Sequence, residues 1–143
     1  MSELEDVVAA LNSARVRYLL IGGLASVLYG VARTTTDIDF ALDPKKENVR
    51  RTVAALGRLG LVPETDVVDD ILAQGGVTLS NDLSVDLLTD LPTGTFGELR
   101  RRKTIRYPNV RCPTVSRKDQ IRLLRATGRK KDFEDADHLE SLS

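Results

Sequence analysis

The stretch Tyr18–Leu42, YLLIGGLASVLYGVARTTTDIDFAL, contains the features that decide how this chain folds. An apolar run over residues 16–21 ends at Gly22-Gly23, which predicts a buried strand stopped by a turn. Residues 24–29 then predict a short helix, and residues 36–42 predict a second strand. Two strands and a short helix therefore meet around a diglycine turn.

The second predicted strand carries two acids that alternate with apolar residues. Because alternate side chains of a strand share a face, Ile38 and Phe40 are expected in the core and Asp37 and Asp39 together on the other face. Two close carboxylates raise each other's pKa unless a cation lies between them. Mg²⁺ prefers oxygen ligands and keeps waters that phosphates can displace, so it suits such a pair. The alternative interpretation is two ordinary acids at a solvated strand end.

Two further features favour a phosphate and metal site. Gly22-Gly23 precedes a predicted helix, and glycine lets a phosphate approach the backbone closely, although many such pairs are only turns. Asp86 lies between apolar neighbours in LSVDLLTD, and acids are seldom buried without a partner. If its strand lies beside that of Asp37 and Asp39, three carboxylates converge as in two-metal sites. Otherwise Asp86 is an acid at a sheet edge.

The rest of the chain predicts one α+β domain spanning residues 1–143, with a small mixed sheet flanked by helices. Apolar periodicity, turn residues and caps predict helices over residues 3–14, 45–59, 66–73, 116–126 and 130–142. Ser116 is the expected N-cap of the fourth, with Asp119 completing a capping-box variant, and Gly128 its expected end. Strands are predicted over residues 77–80 and 83–89, joined by an Asn81-Asp82 turn, with weaker ones at 104–107 and 110–112 around Pro108-Asn109.

Composition narrows the class of protein. The 143 residues are 41% hydrophobic and 29% charged with zero formal net charge, which is ordinary for a globular protein. The single cysteine, Cys112, cannot form an internal disulfide, and no apolar run reaches the length of a membrane span. The N-terminus lacks the pattern of a signal peptide, so a cytoplasmic location is expected. One histidine, His138, excludes a histidine-rich metal site.

Charge is unevenly distributed along the chain. Acids outnumber bases between Asp37 and Asp90, whereas bases crowd the later part: Arg100, Arg101, Arg102, Lys103, Arg106, Arg111, Arg117, Lys118, Arg122, Arg125, Arg129, Lys130 and Lys131. An acidic half facing a basic half suits a site where metal ions and a polyanion meet. Two halves that simply neutralise each other would give the same pattern.

Taken together, these residues resemble the nucleotidyltransferase superfamily that includes DNA polymerase beta. The resemblance rests on Gly22-Gly23, Arg33, Thr36-Asp37-Ile38-Asp39-Phe40 and a third aspartate, Asp86, on a later strand. It is closest to small bacterial stand-alone members and to the nucleotidyltransferase-like toxins of toxin–antitoxin and phage-defence systems. The segment GRKKDFED, residues 128–135, is similar to a Lys-Asp-x-x-Asp segment that opens a late helix in that branch. The resemblance implies a minimal nucleotidyltransferase fold.

The resemblance also implies roles for the site residues. Asp37, Asp39 and Asp86 would hold two Mg²⁺ ions, and Asp86 would help to take a proton from an attacking hydroxyl. Gly22 and Gly23 would bind the triphosphate through backbone N–H groups. The implied reaction is attack of a hydroxyl on the α-phosphate of a nucleoside triphosphate, with release of pyrophosphate.

Two basic residues are further candidates for nucleotide binding. Arg33 can donate to phosphate, or it balances Asp37 or Asp39 at the surface. Lys131 can serve the triphosphate, or it pairs with Asp135 four residues on. The chain departs from many family members at Gly23, where they carry a serine whose hydroxyl contacts phosphate. This departure weakens the expected affinity for phosphate.

The function expected first is that of a Mg²⁺-dependent nucleotidyltransferase whose acceptor is RNA, a protein or a small molecule. The basic run 100–103 would follow an RNA backbone, or it is a solvated face. Because the chain is short, a homo-oligomer or a partner chain is expected to complete the site. The alternative is a non-catalytic nucleotide-binding or toxin–antitoxin component with the same fold. A glycosyltransferase using Asp-x-Asp is disfavoured, since it needs a larger sugar-nucleotide domain.

Overall fold

A computed structural model describes residues 3–105 and 110–142 of the chain. Seven helices are found there: α1 Glu3–Ser13, α2 Gly22–Leu28, α3 Lys46–Gly57, α4 Val68–Gln74, α5 Phe96–Arg101, α6 Arg117–Thr127 and α7 Lys130–Ser141. The same residues form seven strands: β1 Tyr18–Ile21, β2 Asp37–Leu42, β3 Val62–Pro63, β4 Gly76–Ser80, β5 Ser84–Leu88, β6 Thr104–Ile105 and β7 Pro113–Thr114. The α+β class and the small mixed sheet flanked by helices are therefore confirmed.

The sheet has the order β3-β4-β5-β2-β1-β7-β6. Strands β1 and β2 are antiparallel, β4 and β5 form an antiparallel hairpin, and β5 lies parallel to β2. The Asn81 side chain accepts from the Leu83 N–H within the hairpin turn, which confirms the predicted turn. Because β5 has a neighbour on each side, the interpretation of Asp86 as an acid at a sheet edge is wrong.

The main core is built on the apolar face of this sheet. Ile38 is 4% exposed and Phe40 is fully buried, as the alternation in β2 predicts. The ring of Tyr18 packs edge-on against Phe40, with 5.3 Å between the ring centroids. Cys112 is also buried, and burial raises the pKa of its thiol to about 11, so the residue acts as part of the core. Asp37 and Asp39 alternate with these apolar residues along β2 and therefore lie on its other face, where they are available for a site.

Helix α6 begins and ends at the expected residues, but its cap differs from the prediction. The Ser116 side chain accepts from the Asp119 N–H, and Gly128 takes a left-handed conformation with φ of 75°. The Asp119 carboxylate, however, accepts from Arg102 and Arg122. The expected capping-box return contact is therefore replaced by an ion pair that holds α6 to the segment after α5.

Several short elements differ from the sequence predictions. Helix α5 and strand β3 were not predicted, and the strand expected at 110–112 lies instead at Pro113–Thr114, where the backbone pairs with β1 and β6. Of the strand expected at 104–107, only Thr104–Ile105 lies in the described part. Tyr107 and the Pro108-Asn109 turn lie outside the described residues. Two-residue strands carry no periodicity, so the sequence pattern does not specify them.

The two last helices pack together and form a second small core. Its buried members are Val31, Leu124, Ala136 and Leu139. Because Val31 belongs to the segment between α2 and β2, this cluster holds the C-terminal helices against the loop that leads into the acid-bearing strand.

Candidate active site

Four residues form a row across the polar face of the sheet. Asp39 in β2 lies directly opposite Asp86 in the parallel strand β5, and Asp86 lies opposite Thr78 in β4. On the other side, Asp39 pairs with Ile21, the last residue before Gly22-Gly23. Residues in register on neighbouring strands share a face, so the two carboxylates face each other next to the diglycine. The sequence-based expectation that the strand of Asp86 lies beside that of Asp37 and Asp39 is correct.

The two facing carboxylates perturb each other. Burial, the neighbouring carboxyl of Asp86 and the charge of Asp37 together raise the pKa of Asp39 to about 7. The Asp39 and Asp86 carboxyl groups are close enough to share a hydrogen bond. Such a pair either retains a proton or requires a cation, which is the arrangement expected of a hard-metal site.

Thr78 fixes the orientation of the second acid and was not predicted from the sequence. Its hydroxyl donates to Asp86 Oδ1 over 2.6 Å. The register of the β4–β5 hairpin creates this contact, so only knowledge of the pairing would have revealed it. One carboxylate oxygen of Asp86 is thus occupied by the protein.

Gly22 and Gly23 begin helix α2 directly after β1. Gly22 has φ of 74°, and a Cβ at this position would collide with the Asp39 carboxylate, so only glycine fits. A Cβ on Gly23 would lie 3.5 Å from Thr35 Oγ1 and from the Arg33 guanidinium carbon, which is ordinary contact. The diglycine predicted as a turn therefore forms the first two residues of α2, and Gly22 lies against Asp39.

Three basic side chains share a pocket with the acids. Arg33, Arg129 and Lys131 line the same pocket as Asp37, Asp39 and Asp86. Arg33 donates to Asp135 in α7, so neither the expected balance with Asp37 or Asp39 nor the Lys131–Asp135 pair is formed. Arg129, which was not predicted as a site residue, pairs with Asp132 over 2.7 Å and lowers the pKa of Asp39.

The pocket that contains these groups has a volume of about 530 Å³. We call it the polar pocket. It extends across the sheet from Gly23 and Arg33 at one end to Glu64, Gln74 and Thr78 at the other. Its size is within the range of sites for small-molecule ligands. All predicted site residues except Gly22 line it.

The polar pocket contains oxygen ligands of the kind that Mg²⁺ requires. Within residues 3–105 and 110–142, no three His, Cys, Asp or Glu side chains are gathered closely enough to hold a metal ion by themselves. Asp39 and Asp86 nevertheless supply two facing hard oxygen ligands. Mg²⁺ is commonly held by one or two carboxylates together with substrate phosphates and water, so the residues fit the ion.

The sequence matches no family model and no curated protein. Its structure is similar to that of the lincosamide antibiotic adenylyltransferase LnuA with lincomycin bound, with a TM-score of 0.70 and 21% identity over 100% of this chain and 99% of that one. The chain has a nucleotidyltransferase fold. The antibiotic-resistance factor ANT(2'')-Ia gives a TM-score of 0.69 at 14% identity over 98% of this chain and 82% of the other.

A third similar structure is that of a provisionally assigned nucleotidyltransferase from Thermotoga maritima. It has a TM-score of 0.65 and 17% identity over 98% of this chain and 91% of that one. The nucleotidyltransferase fold expected from Gly22-Gly23, Asp-x-Asp and the third aspartate is thereby confirmed. No helix in the described ranges is both long and apolar enough to cross a membrane.

Proposed function

We propose that this protein is a Mg²⁺-dependent nucleotidyltransferase that transfers a nucleoside monophosphate from a nucleoside triphosphate to a hydroxyl group of a small molecule. The observation that carries the proposal is the register of β2 and β5, which places Asp39 and Asp86 face to face in a polar pocket. A facing carboxylate pair in which the pKa of Asp39 is raised is costly to maintain in a protein that does not bind a cation. Perturbed acids in a pocket are typical of functional sites.

The residues of the pocket have complementary roles in this proposal. Bound Mg²⁺, two ions when the site is complete, would neutralise charge on the phosphates. Asp39 and Asp86 would hold it, and Asp37, which is exposed on the same strand face, would complete the ligand set with substrate oxygens. Arg33 and Lys131, which line the same polar pocket, would bind the phosphates.

The Asp86 carboxylate would also accept the proton of the attacking hydroxyl. Thr78 donates to its Oδ1, and Oδ2 would take the proton of the attacking hydroxyl. The reaction forms a bond between the acceptor oxygen and the α-phosphorus and breaks the bond to the departing pyrophosphate. Catalysis would then depend on positioning and on neutralisation of charge.

A small-molecule acceptor is favoured over RNA by the pairing of basic residues in the second half of the chain. Arg102 and Arg122 bind Asp119, and Arg125 binds Asp137 and Glu140. Bases that are paired within the protein contribute little to a nucleic-acid surface. The similar structures also include the lincosamide antibiotic adenylyltransferase LnuA with lincomycin bound and ANT(2'')-Ia in complex with adenylyl-2''-tobramycin.

The experiment is transfer of label from α-labelled nucleoside triphosphates to a panel of hydroxylated small molecules, with an RNA pool and the protein itself as separate acceptors. We expect labelled small-molecule product and pyrophosphate with wild type in the presence of Mg²⁺. Asp86→Asn should abolish transfer, whereas Asp82→Asn, at an exposed acid in the β4–β5 turn, should not. Label on RNA alone, or retained activity in Asp86→Asn, would contradict the proposal.

A second candidate is a nucleotide-binding component without catalysis, such as part of a toxin–antitoxin pair. It is favoured by Gly23, which lacks the hydroxyl that contacts phosphate in many superfamily members. Tight binding of Mg²⁺ and nucleotide, without transfer to any acceptor tested, would select this candidate.

A further inference from the structure

We propose that a second cleft beside the polar pocket binds the nucleobase of the nucleoside triphosphate. This apolar cleft has a volume of about 160 Å³ and is lined by Leu88, Leu91 and Pro92 on one side and by Leu123 and Leu124 of α6 on the other. The inference rests on the proposed function, because it takes the ligand of the polar pocket to be a nucleotide.

The two cavities adjoin at the facing acids. Gly23, Asp39 and Arg129 line both of them. A single ligand can therefore place a charged part in the polar pocket, beside Arg33 and Lys131, and an uncharged ring in the apolar cleft. A nucleoside triphosphate has this division between polyphosphate and base, whereas an acceptor with many hydroxyl groups does not.

The size of the apolar cleft fits a flat ring. An apolar cavity of about 150 Å³ in another protein accepts benzene, so the cleft matches a single aromatic ring, and its open side leaves room for a fused second ring. Four leucines and one proline supply apolar surface that can bury an aromatic face. The charged members of the lining, Asp39, Arg129 and Asp132, are shared with the polar pocket.

The amide group of Gln120 makes the cleft better suited to a heterocyclic base than to a purely apolar group. This residue of α6 is fully buried and lines the apolar cleft. Its Nε2 donates to the Gly22 carbonyl over 2.9 Å and to Ser26 Oγ over 3.0 Å. Since a carbonyl accepts only, Nε2 must face Gly22, and the opposite orientation of the amide is excluded.

The second atom of the Gln120 amide is left without a partner. No described residue donates to its Oε1. A buried acceptor is normally satisfied, so Oε1 would gain from a donor on a ligand bound in the cleft. Base N–H groups supply such a donor, and an aliphatic or simple aryl group does not. The cleft therefore combines apolar surface with an unpartnered amide oxygen on one of its lining residues, and this combination suits a nucleobase.

The opposite end of the polar pocket is then available to the acceptor. Glu64, Gln74 and Thr78 lie on the β4 side of Asp86, while the apolar cleft lies on the β1 and α6 side of Asp39. In this arrangement the base and the acceptor lie on different sides of the facing acids. In-line displacement then requires the departing pyrophosphate to lie opposite the attacking acceptor oxygen.

The test compares binding of ATP and ribose 5-triphosphate, which lacks the base, in the presence of Mg²⁺. Leu91→Trp is designed to fill the apolar cleft from its half-buried position, and Leu83→Trp is the matched control at a half-buried leucine in the β4–β5 turn. Leu91→Ala provides a second variant that removes cleft surface without adding bulk. Thermal unfolding establishes that each variant is folded.

We expect wild type and Leu83→Trp to bind ATP at least tenfold more tightly than ribose 5-triphosphate. Leu91→Trp should lose this difference while its affinity for ribose 5-triphosphate stays unchanged, and Leu91→Ala should reduce the difference. The cleft does not bind the base if Leu91→Trp still binds ATP more tightly than ribose 5-triphosphate, or if its affinity for both ligands falls by the same factor. If wild type binds neither ATP nor ribose 5-triphosphate, the proposed function itself is contradicted, and the proposal for the cleft is contradicted with it.

Discussion

Asp39 carries a structural cost that its proposed role as a metal ligand would explain. It is enclosed by Asp86 across the sheet and by the Gly22 backbone beside it, and its raised pKa reflects burial and the neighbouring carboxyl groups. The alternation in DIDF predicted which face Asp39 occupies. It did not reveal Asp86 as the direct neighbour or Thr78 as the donor to Asp86, because the parallel pairing of β2 with β5 joins segments far apart in sequence.

The first prediction concerns stability without metal. A carboxyl whose pKa rises from its ordinary value near 4 to about 7 on folding favours the folded state at low pH, and this contribution is lost as pH rises between those values. Above pH 7 the charged pair is destabilising. Asp39→Asn should therefore raise the unfolding free energy at pH 8 by about 1 kcal/mol in EDTA.

Chemical denaturation of wild type and Asp39→Asn at pH 4 and pH 8 measures this effect. Asp82→Asn serves as the exposed control. The prediction fails if Asp39→Asn is less stable than wild type at pH 8, or if the difference between the two proteins is the same at both pH values.

The second prediction separates the two glycines. Gly22→Ala should destabilise the protein by roughly 2 kcal/mol or more, because the new Cβ meets the Asp39 carboxylate at a left-handed backbone position. Gly23→Ser has room and an ordinary backbone conformation, so the fold should be retained. Its hydroxyl should strengthen binding of a nucleoside triphosphate about threefold or more.

Thermal unfolding and nucleotide titration of both variants provide the measurement. A stable Gly22→Ala would contradict the close contact with Asp39. Unchanged or weaker nucleotide binding by a folded Gly23→Ser would place the triphosphate away from this turn.

At the scale of elements, the C-terminal helices complete the pocket. Helix α7 holds Arg33 through Asp135, and the segment between α6 and α7 brings Arg129 and Lys131 to the pocket wall. Periodicity and caps predicted α1, α3, α6 and α7 well, since each has a long amphipathic pattern. The partner of Asp135 was not predictable, because the local Lys131 pairing competes in sequence with a residue that only the fold brings near.

The third prediction concerns the Arg33–Asp135 ion pair, whose side chains are 16% and 10% exposed. Removing one partner of a largely buried pair leaves an uncompensated charge, so Asp135→Ala should lower the unfolding free energy by roughly 2–3 kcal/mol. Lys131→Ala, at an exposed position on the same helix, should leave stability within about 0.5 kcal/mol of wild type.

Denaturant unfolding of the two single variants and of the Arg33→Ala/Asp135→Ala double variant tests this. The double variant should be destabilised by less than the sum of the two single variants. Additive losses, or a loss in Lys131→Ala equal to that in Asp135→Ala, would show that the pair does not hold α7.

At the scale of the whole molecule, acids and bases meet across one pocket, although the net charge is zero. Part of the asymmetric charge distribution along the sequence reaches the polar pocket, whose lining includes Asp37, Asp39 and Asp86 together with Arg129 and Lys131 from the basic part of the chain. Three other bases of that part form ion pairs within the fold: Arg102, Arg122 and Arg125. The sequence indicated that acids and bases are unevenly distributed along the chain. The ion pairs within the fold decide how many of these charged side chains can bind a ligand.

The fourth prediction concerns assembly. The polar pocket is partly open to solvent, so a second protein surface placed over it would help to enclose an acceptor. We therefore expect a homo-oligomer, or a complex with a partner chain, in the active form. Size-exclusion chromatography with light scattering on protein assayed for transfer tests this, and an active monomer would contradict it.

The most direct test of the central claim is calorimetric titration of Mg²⁺ and a non-hydrolysable ATP analogue into wild type, Asp39→Asn, Asp86→Asn and the control Asp82→Asn. We predict nucleotide binding that requires Mg²⁺ in wild type and in Asp82→Asn, and its loss in both variants of the facing acids, with all four proteins folded. Nucleotide binding that is independent of Mg²⁺, or that survives in Asp39→Asn and Asp86→Asn, would contradict a metal and nucleotide site at this pair.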